Sequence, residues 1–360
     1  MNTNSIRNHS KFNLLVGTYT KTCDSNGVYI FEFDALSGEL RLISSTENVI
    51  NPSYLSVSED NKYVYAINED GEQSTVSAFA YNSKEHTLKF LNKNKTLGAD
   101  PCHIIDDAQN VIVANYGGGS IAVFKKMTGN TISEVRQLIQ HEGKGINKDR
   151  QEKPHVHMVY FSPDKNFVFA NDLGLDKVFI YNYLPHANDQ ILTLKETIDL
   201  KAGSGPRHAA FSKNGNFIFL LHELDGTLTT LRYNKNGSLE ILNETNSTPP
   251  NFNGSASSAA IKISPDGNFL YLSHRGDLNS ISIYKISKNG EIDFVDRIST
   301  GGKEPRDFAI DPFGNFLLIG HEETNNITIF KRDKTNGKIT NTGKITEICA
   351  PVNLIFTEIE

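Results

Sequence analysis

Residues 264–271 read Ser264-Pro265-Asp266-Gly267-Asn268-Phe269-Leu270-Tyr271, and the same pattern returns four more times along the chain. In each copy a Ser or Asp is followed by a tight polar turn and then by an apolar strand. The other copies are Ser58-Glu59-Asp60-Asn61-Lys62-Tyr63-Val64-Tyr65, Ser162-Pro163-Asp164-Lys165-Asn166-Phe167-Val168-Phe169, Ser212-Lys213-Asn214-Gly215-Asn216-Phe217-Ile218-Phe219 and Asp311-Pro312-Phe313-Gly314-Asn315-Phe316-Leu317-Leu318. A unit that returns about every 50 residues and is built from short strands predicts a β-propeller, an all-β fold.

Length and composition agree with one large ring. The chain has 360 residues, of which 38% are hydrophobic, and a chain of this size can bury a large core. Because the blades of a propeller pack against their neighbours in the ring, we expect a single domain over residues 12–360, preceded by a flexible segment at residues 1–11. The net charge of −6 offers no basic surface, so nucleic acid is not an expected partner.

The cysteines and the N-terminus bear on the cellular compartment. Cys23, Cys102 and Cys349 lie far apart, and an odd, sparse set does not indicate a disulfide framework, so a reducing compartment fits best. Residues 1–11 lack the apolar stretch of a secretory signal, and no apolar run reaches transmembrane length. We expect a cytoplasmic protein without a membrane partner.

Seven segments are predicted to be the innermost strands of the blades, lining a central channel. They begin near Pro52, Pro101, Val156, Pro206, Ser258, Pro305 and Pro351. Each unit is expected to close on an alternating strand such as 177–181 or 281–284. The seventh blade joins both ends of the chain, with 12–17 and 28–33 as middle and outer strands and 351–356 as the inner strand. This closure would leave the ring without free sheet edges.

Three polar or glycine-rich stretches stand out. Residues 141–153 and 246–258 are predicted to be long loops that precede inner strands, so both are expected at the same mouth of the channel. Gly117-Gly118-Gly119 lies between two strands, whereas a phosphate-binding loop needs a helix N-terminus behind it, so a tight turn is favoured. No Gly-x-Ser-x-Gly segment supports a serine nucleophile.

Aligning the units places two tiers of side chains around the channel. The first tier is the residue after each inner-strand start: Ser53, Cys102, His157, Arg207, Ala259, Arg306 and Val352. The second tier is the end of the next strand, at Asn68, Asn115, Asp172, His222, His274 and His321, followed in several units by Glu69, Tyr116, Glu223, Arg275 or Glu322. Polar residues at strand ends often bond to neighbouring strands, and the Asn and Asp residues of the second tier fit that role.

Arg207, Glu223 and Arg275 come from adjacent units and are expected to converge on one sector of the mouth. They form either a structural ion-pair cluster or a functional site. His155 and His157 alternate along a strand and should point to one side, as two metal ligands would. Because no Asp, Glu or Cys at ligand spacing accompanies them, no metal is expected.

Several segments together resemble the seven-bladed propeller lactonases, a family that includes cycloisomerase-type 6-phosphogluconolactonases and fungal carboxymuconate lactonizing enzymes. They span nearly the whole chain in order: 15–20 (Leu-Val-Gly-Thr-Tyr-Thr), 51–55, 114–120 (Ala-Asn-Tyr-Gly-Gly-Gly-Ser), 154–157 (Pro-His-Val-His), 172–176, 203–208 (Gly-Ser-Gly-Pro-Arg-His), 223–225 and 305–308. The resemblance implies a seven-bladed propeller with lactone chemistry at the channel mouth. One departure recurs, because His222, His274 and His321 stand where the family usually has Asn.

The resemblance further implies hydrolysis of 6-phosphogluconolactone in the pentose phosphate pathway, without a cofactor. Glu223 is expected to be the general base and His155 or His157 the acid that protonates the leaving ring oxygen, although these roles can be reversed. Arg207 and Arg275 are expected to stabilise the oxyanion or to bind an anionic group of the substrate. Further substrate contacts are expected from Arg306, His222, His274, His321, Glu69 and Tyr116.

Two other functions stay open on the sequence alone. In a muconate-type lactonizing cycloisomerase the same two arginines would hold carboxylates while a histidine and Glu223 move a proton. The second alternative hypothesis is a non-catalytic binding scaffold, since propellers often serve as interaction platforms.

Overall fold

Seven antiparallel sheets of four strands each, arranged as the blades of a ring, make up the computed structural model, which describes residues 10–47 and 49–360. Within these residues there are 28 strands and two short 3-10 turns, Gly71–Gln73 and Thr128–Asn130. The predicted all-β, seven-bladed propeller is confirmed.

The strands follow one another from the channel outward in every blade except the first. Blade one contains β1 (Lys11–Thr18), β2 (Val28–Asp34) and β3 (Glu39–Thr46); blade two contains β4 (Leu55–Val57), β5 (Tyr63–Asn68), β6 (Thr75–Asn82) and β7 (Thr87–Lys95). Blade three contains β8 (Pro101–Asp106), β9 (Asn110–Asn115), β10 (Ser120–Lys126) and β11 (Ile132–Gln140); blade four contains β12 (Val156–Phe161), β13 (Phe167–Asp172), β14 (Lys177–Tyr183) and β15 (Leu192–Asp199). Blade five contains β16 (Pro206–Phe211), β17 (Phe217–His222), β18 (Thr227–Tyr233) and β19 (Leu239–Asn246); blade six contains β20 (Ala256–Ile263), β21 (Phe269–Gly276), β22 (Ser280–Ile286) and β23 (Ile292–Ser299). Blade seven contains β24 (Pro305–Ile310), β25 (Phe316–His321), β26 (Asn326–Arg332) and β27 (Ile339–Glu347), and β28 (Pro351–Glu358) returns to blade one as its inner strand.

The repeated Ser-x-Asp turn is held by its own side chains. Ser264 Oγ donates to Asp266 Oδ1 (2.7 Å) and accepts from the backbone N–H of Phe269 (3.1 Å). Ser58, Ser162 and Ser212 make the equivalent pair of hydrogen bonds in their own blades. The turn therefore fixes where each second strand begins, and the apolar residues that follow it enter the core.

The core consists of hydrophobic clusters between adjacent blades. Phe31 and Phe33 of blade one, for example, pack with Leu318 and Ile329 of blade seven. Across the described residues there are seven such clusters, one at each blade interface. Since each blade buries both faces against its neighbours, the inner strands and the ends of the second strands are left to line the channel.

The ring closes as the sequence predicts. β28 pairs with β1 in antiparallel register, with Leu14 opposite Phe356 and Val16 opposite Leu354. Both ends of the described chain therefore lie in one sheet. Ser10 and Lys11, the last residues of the predicted flexible segment, are described, and Lys11 begins β1; residues 1–9 lie outside the described residues.

The prediction of the outermost strands was wrong. Residues 177–181 lie in β14 and residues 28–33 in β2, which are third strands, and the fourth strands β15 and β3 follow them. The fourth strands are largely exposed, so they lack the apolar alternation by which the third strands were recognised. The predicted tight turn at residues 117–119 is confirmed, since it connects β9 to β10.

Cys23 and Cys349 form a disulfide, contrary to the expectation from the cysteine count. Their Cα atoms lie 6.0 Å apart although 326 positions separate them in the sequence. Cys23 lies in the β1–β2 connection and Cys349 directly before β28, so the pairing of β1 with β28 brings them together. Cys102 is buried and free. Because disulfides persist in oxidising environments, the cysteines no longer support a reducing compartment, and the cytoplasmic location stays a prediction.

Over residues 10–47 and 49–360, no helix has the length and apolar character needed to cross a membrane.

Candidate active site

Side chains from several blades meet at the end of the channel where inner strands begin and second strands end. Arg207 is the second residue of β16, and Glu223 follows the last residue of β17. These strands pair antiparallel with Pro206 opposite His222, so the two side chains become neighbours. His157 reaches the same place from β12 and Arg275 from β21. The predicted convergence of Arg207, Glu223 and Arg275 is therefore found in the structure.

Glu223 is the centre of this cluster. Its Oε2 accepts hydrogen bonds from Arg207 Nε (2.8 Å) and lies 3.2 Å from Arg275 Nη2. His157 Nε2 is 3.7 Å from the same oxygen. The other oxygen, Oε1, accepts from Arg150 Nη2 at 2.6 Å. Glu223 and Arg207 are 4% and 1% exposed, so the centre of this network is almost fully withdrawn from water.

The charges of the cluster follow from this packing. Burial would raise the pKa of Glu223, but the guanidiniums of Arg275, Arg207 and Arg150 outweigh it and hold that pKa well below its usual range. Burial, together with the nearby charge of Arg207, lowers the pKa of His157 well below its usual value. Burial, with Arg275 beside it, lowers the pKa of Arg207 to about 10. At pH 7 the site therefore holds an ionised carboxylate, charged guanidiniums and a neutral imidazole.

Arg275 keeps a hydrogen-bond donor free. Its Nη2 donates to Ser257 Oγ (2.7 Å), and its Nε lies 4.0 Å from Glu304 Oε2. This Nε is buried and has no hydrogen-bond partner among the described residues. A buried donor without a partner is costly, which makes it a natural contact for a bound oxygen atom.

The two histidines of the His-x-His segment have different surroundings. The ring of His155 stacks on Tyr116, with 4.4 Å between ring centroids, and its Nε2 lies 3.1 Å from Glu152 Oε1. His157 meets the edge of Tyr116 at 5.3 Å and lies beside Glu223. Both imidazoles therefore border Tyr116, and His157 is the one that reaches the carboxylate.

A second polar cluster occupies the sector of blades one, two and seven. Glu69 Oε2 accepts from Ser53 Oγ (2.6 Å) and from the hydroxyl of Tyr19 (3.2 Å). The guanidinium of Arg306 lies over the ring of Tyr19 at 5.3 Å. Burial raises the pKa of Glu69, while Arg306 and the hydrogen bonds from Ser53 and Tyr19 oppose that shift. Arg306 also contributes to the lowered pKa values of His157 and Arg207, so the two clusters share one electrostatic environment.

The three histidines that replace the family's usual Asn are fully buried. His222 Nε2 lies 2.8 Å from Thr229 Oγ1, and His274 lies 2.9 Å from Ser258 Oγ and 3.0 Å from Ser282 Oγ. Burial lowers the pKa values of His222, His274 and His321, to about 4, 3 and 4.

At the equivalent positions, Asn68 donates to Ser77 Oγ (2.8 Å) and Asn115 to Ser120 Oγ (3.0 Å). His222 and His274 thus make the same contact, from the end of a second strand to a hydroxyl of the third. This geometry favours a role in holding the blades and gives no support to the prediction that these histidines contact substrate.

Two residues of the mouth were not selected from the sequence. Arg150 belongs to the 141–153 loop, which was predicted to overhang the mouth, but no motif distinguishes it from the other charged residues there. Tyr19 lies in the segment 15–20 that carries part of the family resemblance. Its approach to Glu69 depends on how blades one and two pack against each other, which local sequence does not encode.

Fold and site together define a seven-bladed propeller with a buried carboxylate, three guanidiniums and a neutral imidazole at one mouth of its channel. The chain belongs to the lactonase family of seven-bladed β-propellers, because residues 13–356 match the family described as "Lactonase, 7-bladed beta-propeller". The resemblance found in the sequence is thereby confirmed.

Relatives match over nearly their full lengths. The 6-phosphogluconolactonase of Bacillus subtilis is 34% identical over 345 residues, which cover 95% of this chain and 97% of that protein. The fold matches a crystal structure from Bacteroides fragilis with a TM-score of 0.93. The two chains are 38% identical, and the match covers 97% of this chain and 98% of the other. The periplasmic gluconolactonase of Pseudomonas aeruginosa has a TM-score of 0.93 at 30% identity, covering 98% of this chain and 100% of its own.

Proposed function

We propose that this protein hydrolyses 6-phosphogluconolactone to 6-phosphogluconate at the mouth formed by Glu223 and its neighbours. The observation that carries the proposal is a buried carboxylate in contact with three guanidiniums and close to a neutral imidazole, in a lactonase propeller. Lactone hydrolysis needs an activated water, a stabilised oxyanion and a proton for the leaving oxygen, and this set of groups supplies all three.

The chemistry divides among the residues as follows. Glu223 takes a proton from water while the water oxygen bonds to the lactone carbonyl carbon. The negative charge that develops on the carbonyl oxygen is stabilised by Arg275, whose Nε has no other hydrogen-bond partner among the described residues. Arg207 holds Glu223 in place through its Nε.

Collapse of the tetrahedral intermediate breaks the bond between the carbonyl carbon and the ring oxygen. The proton taken by Glu223 passes to the departing ring oxygen through the neutral His157, and this transfer requires the substrate complex to bring Glu223 and Nε2, which is 3.7 Å from Oε2, within hydrogen-bond distance. This route needs the tautomer with its proton on Nδ1, the nitrogen that faces the sulfur of Cys102 at 3.6 Å. One water is consumed and one hydroxy acid is formed. The acid then ionises in water.

Charge at the mouth favours an anionic lactone. Arg150, Arg207 and Arg275 surround the carboxylate of Glu223, and Glu304 lies 4.0 Å from Arg275, so these groups together keep an excess of one positive charge. A phosphate monoester carries a charge of about −1.5 to −2 at pH 7. The polar cluster of Glu69, Arg306 and Tyr19, together with Tyr116, is proposed to bind the hydroxyl groups of the sugar.

The test is the rate of 6-phosphogluconolactone hydrolysis, with the lactone generated in situ and spontaneous opening subtracted. Glu223→Gln and Arg207→Ala should each lose about 10²-fold or more of kcat/KM. His222→Asn is the matched control, because Asn stands at the equivalent position in blades two and three, and it should retain wild-type rates. Melting curves establish that each variant is folded. Absence of wild-type activity above background would refute the proposal, and a dicarboxylate substrate would then be tried.

A further inference from the structure

The loop between β11 and β12 is fixed at its base by a buried histidine. His141 Nδ1 lies 2.7 Å from Asp172 Oδ2, and its Nε2 lies 2.8 Å from the hydroxyl of Tyr181. Its ring stacks on Phe179 with 3.7 Å between centroids. The loop therefore leaves the sheet from a rigid position.

The same loop is fixed again next to Arg150. Gln151 is fully buried; its Nε2 donates to the backbone carbonyl of Leu173 (2.9 Å) and its Oε1 accepts from the backbone N–H of Asn147 (3.0 Å). The backbone N–H of Arg150 donates to Asn147 Oδ1 at 3.1 Å. Since the backbone on both sides is held, the freedom that remains at this position belongs to the Arg150 side chain.

That side chain differs from the other two guanidiniums at Glu223. The Arg150 side chain is 42% exposed, against 1% for Arg207 and 11% for Arg275. Arg150 Nη2 contacts Glu223 Oε1 and also the hydroxyl of Tyr116 at 3.2 Å. Among the described residues Arg150 is the partner of Oε1, whereas Arg207 and Arg275 bind Oε2. Arg150 therefore covers one oxygen of the carboxylate and is the first of the three cations that a solute would meet.

We propose that Arg150 is a specificity-determining residue that exchanges Glu223 Oε1 for the phosphate of the substrate. The inference rests on the function proposed above and assigns the recognition of the phosphate to this loop. A phosphate offers a guanidinium a bidentate partner with more charge than a carboxylate. Glu223 stays paired with Arg207 and Arg275 when Arg150 leaves, so no buried charge is stranded. Oε1 then becomes free to accept the proton of the attacking water.

This exchange couples substrate choice to catalysis. A neutral lactone has no group that can draw Arg150 away, so the base stays covered. When Arg150 moves to the phosphate, its positive charge moves away from Glu223. One of the influences that lower the pKa of Glu223 is then weaker, so the carboxylate is a stronger base once the phosphate is bound.

The experiment compares Arg150→Ala with Lys148→Ala, which removes an exposed cation from the same loop. For each protein, kcat/KM is measured on 6-phosphogluconolactone and on unphosphorylated gluconolactone. We expect Arg150→Ala to lose about 10- to 100-fold on the phosphorylated lactone, mainly through KM, because the phosphate contact is gone. On the unphosphorylated lactone the variant should be faster than the wild type, because Glu223 Oε1 is no longer covered. Lys148→Ala should stay within about 2-fold of the wild type on both. An equal loss on both substrates, or no loss on either, would overturn the inference.

A binding measurement separates this inference from the proposed function. Calorimetry with the product 6-phosphogluconate, and with gluconate as control, needs no turnover. We expect the affinity for 6-phosphogluconate to fall by about 10-fold or more in Arg150→Ala, and the affinity for gluconate to stay unchanged. This result would support the phosphate contact even if the wild type proves inactive on the lactone. Equal affinity of the wild type and Arg150→Ala for 6-phosphogluconate would overturn the contact even if the wild type is active.

Discussion

Removing the disulfide between Cys23 and Cys349 should destabilise the whole ring. The bond closes a loop of 326 residues, and the loop-entropy relation gives a stabilisation of about 6 kcal/mol for that length at 25 °C. Measured effects are commonly smaller than this limit, so we expect a loss of about 3–6 kcal/mol in Cys23→Ser/Cys349→Ser. With an unfolding entropy of about 2.1 cal/mol/K per residue, a 360-residue chain should melt about 4–8 °C lower.

The assay has two parts. Thiol titration in denaturant should find one reactive thiol in the untreated wild type, that of Cys102, and three after reduction. Melting curves are then recorded with and without reductant for the wild type and the double variant. Reductant should lower the melting temperature of the wild type to that of the variant and leave the variant unchanged.

Activity measurements give this test a further control. The backbone N–H of Tyr19 donates to the carbonyl of Ala350 at 3.1 Å, and this contact does not need the disulfide. Lactonase activity of the double variant at 25 °C should therefore stay near that of the wild type. Three free thiols in the untreated protein, or a melting temperature indifferent to complete reduction, would refute the reasoning.

Two further predictions concern stability. Deleting residues 351–360 removes β28 with its buried Val352 and Leu354 and leaves β1 with an unpaired edge, so the melting temperature should fall sharply; deleting only residues 359–360, which follow the strand, should change little. The second prediction concerns pH. Burial lowers the pKa of His274 to about 3, so between that value and the unfolded value of about 6.5 the unfolded chain binds a proton that the native chain does not. Stability should therefore be lost as pH falls below about 6.5, and His274→Asn should reduce the slope of the unfolding free energy against pH by up to about 1.4 kcal/mol per pH unit. An identical slope in His274→Asn would contradict the assignment.

The repeats were enough to predict the ring, because each copy of the Ser-x-Asp turn encodes a local structure that does not depend on the rest of the chain. Ser264, Asp266 and Phe269 lie within six residues and bond to one another. The outer strands were not predicted because one face is exposed and the other only partly buried, so few strongly apolar residues mark them. The disulfide between Cys23 and Cys349 was not predicted, because the two residues come together only when the ring closes.

The site was predictable to the extent that its residues occupy equivalent positions in the repeat. Arg207, Glu223 and Arg275 were selected because aligned units place them at strand ends, and the structure brings them together. The same alignment gave no means of telling His222 from Glu223, although one side chain turns into its own blade and its neighbour turns into the mouth. Arg150 lies in a loop outside the repeat, so it has no equivalent position in the other units and an alignment of the units cannot identify it.

Closure of the ring and construction of the mouth depend on each other. Glu223 follows a strand of blade five, where Arg207 is its partner, and its other contacts come from blade four, blade six and the loop that enters blade four, so those distances depend on how the blades are packed. Across the channel, Glu69 of blade two meets Tyr19, which follows β1 of the closing blade, and is influenced by Arg306 of blade seven. A ring that opens at the closing blade would disturb the Glu69 sector first, while Glu223, far from that seam in the order of blades, would keep its partners. Loss of closure should therefore weaken binding of the sugar before it weakens the acid-base step.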